Sequence, residues 1–126
     1  MAYEVKKNIL VFKSLGIEPK ELKITGGGSR SDLWNQIYAD VLGISCVRNV
    51  IEEATSLGAA ILAAYGAGLF PDITKAAENI CKVDKRWIPN ENNYELYNKI
   101  FNFSNRFYSV LSENEFYKNF NNIFQK

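Results

Sequence analysis

The segment Thr25-Gly26-Gly27-Gly28-Ser29-Arg30-Ser31-Asp32-Leu33-Trp34 gathers the residue types best suited to meet a ligand in this sequence. Three consecutive glycines lie between a strand-like run and a helix start, so a phosphate or ribose can approach the backbone with no Cβ in the way. Free N–H groups and the positive end of the following helix attract an anion there. The chemistry implied is nucleotide binding. The segment lacks the Lys-Ser/Thr pair of a P-loop, which rejects the Walker type. It departs from the dinucleotide fingerprint as well, because Gly26-x-Gly28-x-x leads to Ser31 instead of a third Gly or Ala. Glu52 or Glu53, just past the second strand, could still act as a ribose-binding acid, so a dinucleotide-binding half of an oxidoreductase stays open as an alternative. A plain strand-to-helix turn is the other. Arg30 can reach a phosphate or simply lie in solvent at the helix start.

Other chemistries fall away on composition. There is no His, which excludes a histidine general acid and a serine-type triad. Cys46 and Cys81 stand 35 positions apart and form neither a zinc spacing nor a redox pair. Fifteen Lys and Arg against fourteen Asp and Glu leave a net charge of +1, too little to gather nucleic acid or an anionic membrane. The Ala- and Gly-rich run Leu57 to Phe70 has 14 residues, too few to span a bilayer. Met1 to Lys7 carries three charges and no secretory signal. A cytoplasmic, reducing location is therefore expected, with both cysteines free thiols acting as small apolar fillers.

The elements that must position the glycine turn follow from spacing. The chain has 126 residues, 47% of them hydrophobic and 23% charged, which suits one globular domain with a real core. Val5, Ile9, Phe12 and Leu15 recur at helical spacing between lysines, and Gly16 suits a left-handed cap. Glu21 to Thr25 alternates as a short strand that stops at the glycines. Asp32 to Leu42 sets Leu33, Trp34, Ile37, Tyr38, Val41 and Leu42 on one stripe, with Ser29 and Ser31 as candidate caps and Gly43 as terminator. Ile44 to Val50 reads as a second strand, and Ala54 to Ala67 as a helix with Glu52 and Glu53 at its positive end. Two strands joined by a crossover helix ought to be parallel and right-handed. Asp72 to Cys81 reads as a short helix and Asp84 to Asn93 as a polar loop around Trp87 and Pro89. Tyr94 to Lys126 is a long helical tail holding ten of the 17 aromatic residues, so it must pack against something. Few basic residues accompany those rings, which argues for a covering helix over a base-stacking platform.

The architecture is thus α/β with two parallel strands, too few to stand as a sheet alone, since sheets commonly hold about five or six. At this point the residues resemble a family. The stretch Ile24-Thr25-Gly26-Gly27-Gly28-Ser29-Arg30-Ser31-Asp32-Leu33-Trp34-Asn35-Gln36-Ile37-Tyr38-Ala39-Asp40-Val41-Leu42-Gly43, followed by Glu53-Ala54-Thr55-Ser56-Leu57-Gly58-Ala59-Ala60-Ile61-Leu62-Ala63-Ala64, is similar to the C-terminal lobe of the FGGY carbohydrate kinases, above all the xylulokinase-like ones. The resemblance is strong from Glu21 to Phe70 and weak beyond Pro89.

The resemblance implies a partial ribonuclease-H-like, actin-like ATPase lobe in which residues 1–126 form one incomplete domain, 1–89 as lobe core and 90–126 as helical tail. It implies ATP and Mg²⁺ as cofactors and a sugar as phosphoryl acceptor, with Gly26, Gly27 and Gly28 against the α-phosphate and ribose and Ser31 facing the adenine. The helix carrying Gly58-Ala59-Ala60 is expected to pack close beneath the site. The family's base aspartate, phosphate hairpin and sugar pocket match nothing here. Asp32, Asp40, Glu52, Glu53 and Asp72 read instead as caps and surface charges, so the chain by itself is expected to be inactive, the last part of a kinase several times longer. Self-association through the bare strand edge and the aromatic tail is expected for the isolated chain, with neither nucleic acid nor membrane as partner. A non-catalytic helical interaction module is the rival from another class.

Overall fold

The computed structural model describes residues 1–113 and 115–124. Helix α1 (Ala2–Ser14) ends where Gly16 takes φ +79°, and strand β1 (Glu21–Ile24) follows. A single 3₁₀ turn (Gly27–Arg30) leads into α2 (Asp32–Leu42), which Ser31 caps by accepting the Trp34 N–H at 3.2 Å. Gly43 closes α2 in the left-handed conformation and β2 (Ser45–Asn49) begins. Then come α3 (Ala54–Gly66) and α4 (Ile73–Ile80), the latter capped by Asp72, which accepts from Lys75 N at 2.7 Å. Strand β3 (Val83–Trp87), α5 (Glu91–Glu113) and α6 (Phe116–Phe124) complete the chain.

The described strands lie in the order β1-β2-β3. β1 pairs parallel to β2 with Glu21 opposite Ser45 and Ile24 opposite Arg48, as the crossover helix requires. β3 corrects the expected polar loop at Asp84 to Asn93: Val83–Trp87 pairs antiparallel with β2, Cys46 opposite Trp87 and Val47 opposite Arg86. The sheet is therefore three-stranded and mixed. The strand escapes periodicity because Asp84, Lys85 and Arg86 are consecutive charges with no alternation. Such charges protect an edge strand from unwanted pairing, and here they are tied down by Arg86 to Glu21 at 2.6 Å and Lys85 to Asp32 at 2.5 Å.

Two apolar clusters result. The larger joins Ala2 and Ile9 of α1, Tyr38, Ala39, Val41 and Leu42 of α2, Cys46 of β2 and Trp87 of β3. The smaller holds Leu57 and Ile61 of α3 against Ala76 of α4. The tail does pack, in part. Phe101 is buried, its ring 5.4 Å from that of Tyr3, and Tyr97 lies against the main core. Farther along, Phe103 and Phe107 stay exposed. The helical tail expected from Tyr94 to Lys126 begins earlier, at Glu91, and its described part is two helices with Glu115 at φ +52° before the second; Asn114, Gln125 and Lys126 of that span lie outside the described residues.

Both cysteines are free, as expected. Cys46 has no exposed surface, and burial, reinforced by the negative charge of Asp40, pushes its thiol up to about 12. Cys81 sits half-buried at the rim of the smaller cluster. Because the thiolate is the reactive form, Cys81 is expected to react with a disulfide reagent in the folded chain at pH 8 while Cys46 waits for unfolding. Two equally fast thiols would contradict this packing.

Candidate functional site

The glycine turn is built from below. Gly26 adopts φ +76° and ψ −173°, a conformation that other L-residues rarely take, and this swings the chain out of β1 into the 3₁₀ turn. Its N–H donates to the Glu52 carbonyl at 3.0 Å, which ties the turn to the segment leaving β2. Its carbonyl accepts twice from Ser29, from the N–H at 3.0 Å and from Oγ at 2.6 Å. Ser29 is fully buried, so the turn rests on a residue that reads in sequence as a mere capping candidate.

Above this floor, Gly27 and Gly28 are exposed, and a Cβ added to either would meet no atom within 4 Å. No described residue accepts from the N–H of Gly27 or of Gly28. Two adjacent unpartnered backbone donors thus lie on exposed residues near the N-terminus of α2, an arrangement able to receive an oxyanion. Ser31 is exposed beside them; its Oγ accepts the capping bond and retains its own proton to donate. The four residues singled out from the sequence, Gly26, Gly27, Gly28 and Ser31, therefore sit on one turn, three of them presenting backbone or hydroxyl donors.

Charged groups surround the turn in pairs. Arg30 points to Glu52, Nε to Oε2 at 2.6 Å, instead of standing free for a phosphate. Asp32 is held by Lys85, whose hydrogen bond keeps its carboxyl below the usual aspartate value, with Arg48 adding to the effect. Of the other acids, Asp72 caps α4 and Asp40, buried, accepts from Gln36, Asn90 and Asn93, while Glu53, exposed before α3, makes no side-chain capping bond. Asp32, Asp40, Glu52 and Asp72 are thus each engaged in a structural contact. The described residues include no group of three His, Cys, Asp or Glu able to hold a metal.

One expectation fails within this chain. Gly58 has nothing within 4 Å of a would-be Cβ, and Ala59 and Ala60 are exposed. α3 packs on α4 through Leu57 and Ile61, so its small-residue face is open instead of lying close beneath the turn. Sequence reasoning missed Asn35 and Arg48. Asn35 is fully buried and Arg48 half-buried, and both donate to the Ser29 carbonyl, Nδ2 at 2.7 Å and Nη1 at 3.1 Å. A polar residue four places after the cap, between the apolar Trp34 and Ile37–Tyr38, is the available signal for the first; the second carries none.

A cleft of about 330 Å³ also borders Gly28, with Val5, Leu22, Ile24, Trp34 and Tyr38 among its lining. Its walls are mostly apolar and are shared by β1, α1 and α2. It suits packing of further protein better than a charged ligand.

The chain thus sets a strand, a glycine turn and a capped helix on a mixed sheet flanked by helices, an α/β lobe. Residues 1–67 match the family described as "FGGY family of carbohydrate kinases, C-terminal domain", and the chain belongs to that family. It is 37% identical over 101 residues, 80% of its length, to a xylulose kinase of Staphylococcus epidermidis, and 49% identical over 78 residues, 62% of its length, to the sugar kinase YgcE of Escherichia coli. It spans 20% and 16% of those two proteins. The crystal structure of gluconate kinase from Lactobacillus acidophilus superposes on 87% of this chain with a TM-score of 0.76, using 22% of that chain at 22% identity, which is a likeness of fold.

Proposed function

We propose that this chain supplies the adenosine side of the nucleotide site in an ATP-dependent sugar kinase, xylulokinase-like, that moves the γ-phosphoryl group of ATP to a sugar hydroxyl. The observation that carries it is the pair of unpartnered N–H groups at Gly27 and Gly28, exposed on a turn held rigidly from beneath. Gly26, Gly27 and Gly28 then lie along the α-phosphate and ribose, and Ser31 faces the base. ATP fits this turn; Mg²⁺ finds no ligand set among the described residues, so phosphate oxygens and residues outside this chain hold it. The engagement of Asp32, Asp40, Glu52 and Asp72 in structural contacts supports a chain that is inactive alone, the acceptor's base lying elsewhere in the kinase.

In this proposal residues 1–89 are lobe core and 90–126 a covering tail of one incomplete actin-like domain in a cytoplasmic enzyme. No described helix is long and apolar enough to cross a membrane. The unpaired edge of β1 favours self-association when the chain is isolated.

Titrating the ¹⁵N-labelled chain with ATP is expected to move the Gly26, Gly27, Gly28 and Ser31 amide signals and to leave those of α6 in place. Signals unmoved at millimolar ATP would sink the proposal, and an equal response to NAD would favour a dinucleotide site. Gly27→Val separates binding from folding, because a side chain there meets open space. In a kinase containing this segment it should raise KM for ATP by about tenfold or more, with KM for the sugar little changed.

A further inference from the structure

We infer that Arg48 is a positioning residue for the glycine turn, an inference that rests on the nucleotide site proposed above. Arg48 lies on β2, opposite Lys85 of β3 and at the point where the β2–β3 register shifts. Its side chain is only 17% exposed, so its donors must find protein partners. Nε and Nη2 grip Asp84 Oδ2 at 2.9 and 2.5 Å, while Nη1 donates to the Ser29 carbonyl at 3.1 Å. Asp32, at the start of α2, stands 3.8 Å from the same Nη1. One planar guanidinium thus joins the edge strand, the first residue of α2 and the floor of the turn.

The geometry explains why an arginine stands there. A guanidinium spreads its N–H groups over two edges and can serve a carboxylate with one and a carbonyl with the other; a lysine ammonium concentrates its donors at one point. The Ser29 carbonyl receives Asn35 Nδ2 from α2 and Arg48 Nη1 from β2, so it is pinned from two elements. Ser29 in turn holds the Gly26 carbonyl through both N–H and Oγ. Gly26 is thereby kept in its left-handed bend, and with it the place of the exposed Gly27 and Gly28 that follow. Asp84 holds the far side of Arg48, which makes β3 part of the support of the turn.

Amide hydrogen exchange on the nucleotide-free chain tests this. The probes are the Ser29 and Ser31 N–H groups, bonded to the Gly26 and Gly28 carbonyls. In Arg48→Lys, where one ammonium can serve Asp84 or Ser29 but not both, these two amides should exchange about tenfold faster while the ladder amides of β1, β2 and β3 stay near wild type. Arg48→Met should speed the same two amides further. Should Ser29 and Ser31 change only in step with the ladders in both variants, Arg48 merely stabilises the sheet and the inference is overturned. No nucleotide enters this measurement, so a failure of ATP to bind the wild-type chain would strike the proposed site and leave the role of Arg48 standing.

Discussion

Gly43→Ala is expected to destabilise the folded chain by about 3 kcal/mol, seen as a fall of roughly 10 °C in melting temperature. Two costs add at this position. Gly43 ends α2 at φ +69° with its N–H bonded to the Ala39 carbonyl at 2.9 Å, a left-handed residue where a Cβ costs about 1 kcal/mol or more. That Cβ would also lie 2.5 Å from Cε2 and 3.0 Å from Cδ2 of Tyr94, on the first turn of α5. The Tyr94 ring cannot swing away freely, because Lys6 Nζ stands 4.9 Å from its centroid and is itself bonded to the Val41 carbonyl and to Asn98 Oδ1. Gly16 provides the control: its φ is +79°, yet a Cβ there meets nothing within 4 Å. Gly16→Ala should therefore lose only about 1 kcal/mol, the backbone cost alone. Urea unfolding of the two variants separates the costs, and equal losses would remove Tyr94 from the account.

Asp40→Ala should be comparably damaging, again by about 3 kcal/mol, whereas Asp40→Asn should be mild. Asp40 is 2% exposed, and its carboxylate accepts from Gln36 Nε2 at 2.7 Å, from the Asn90 backbone N–H at 2.8 Å and from Asn93 Nδ2 at 2.8 Å. Gln36 also donates to the Ile88 carbonyl at 2.9 Å, so this cluster is the joint at which α2 holds the approach to α5. Alanine leaves several donors unsatisfied at once, and unsatisfied buried groups are costly. Asparagine keeps one oxygen for Gln36 and Asn90, and its NH₂ can be accepted if the Asn93 amide turns to present its own oxygen. The expected order is wild type, Asp40→Asn, then Asp40→Ala well below. Two equally unstable variants would mean that the charge, not the acceptor geometry, matters.

Much of the local structure was legible because it depends on neighbours in sequence. Ser31 as cap, Gly43 as terminator and the limits of α2 needed only capping chemistry and helical spacing, and the same local rules brought out β1, β2, α3 and α4 nearly to their ends. The glycine turn was visible as a bare backbone bend. What those rules ranked wrongly were side chains with distant partners. Leu33 sits on the apolar stripe of α2 and is 73% exposed, while Asn35 and Asp40 of the same helix are buried. Periodicity weighs polarity alone; Asn35 and Asp40 go inside because a carbonyl of the turn and the donors before α5 are there to satisfy them.

The sequence by itself determined the strand, glycine turn and capped helix, and with them the family resemblance, because each depends on dihedral preferences and hydrogen bonds within a few residues. Only the tertiary structure decided that Val83–Trp87 is a strand, that Ser29 is the floor of the turn, and that Arg48, Asp84 and Asn35 meet around it. Those pairings join residues 6 to 36 positions apart. A hydrogen bond of that kind has no local signature, since its partner is supplied by the folding of β2, β3 and α2 onto one another.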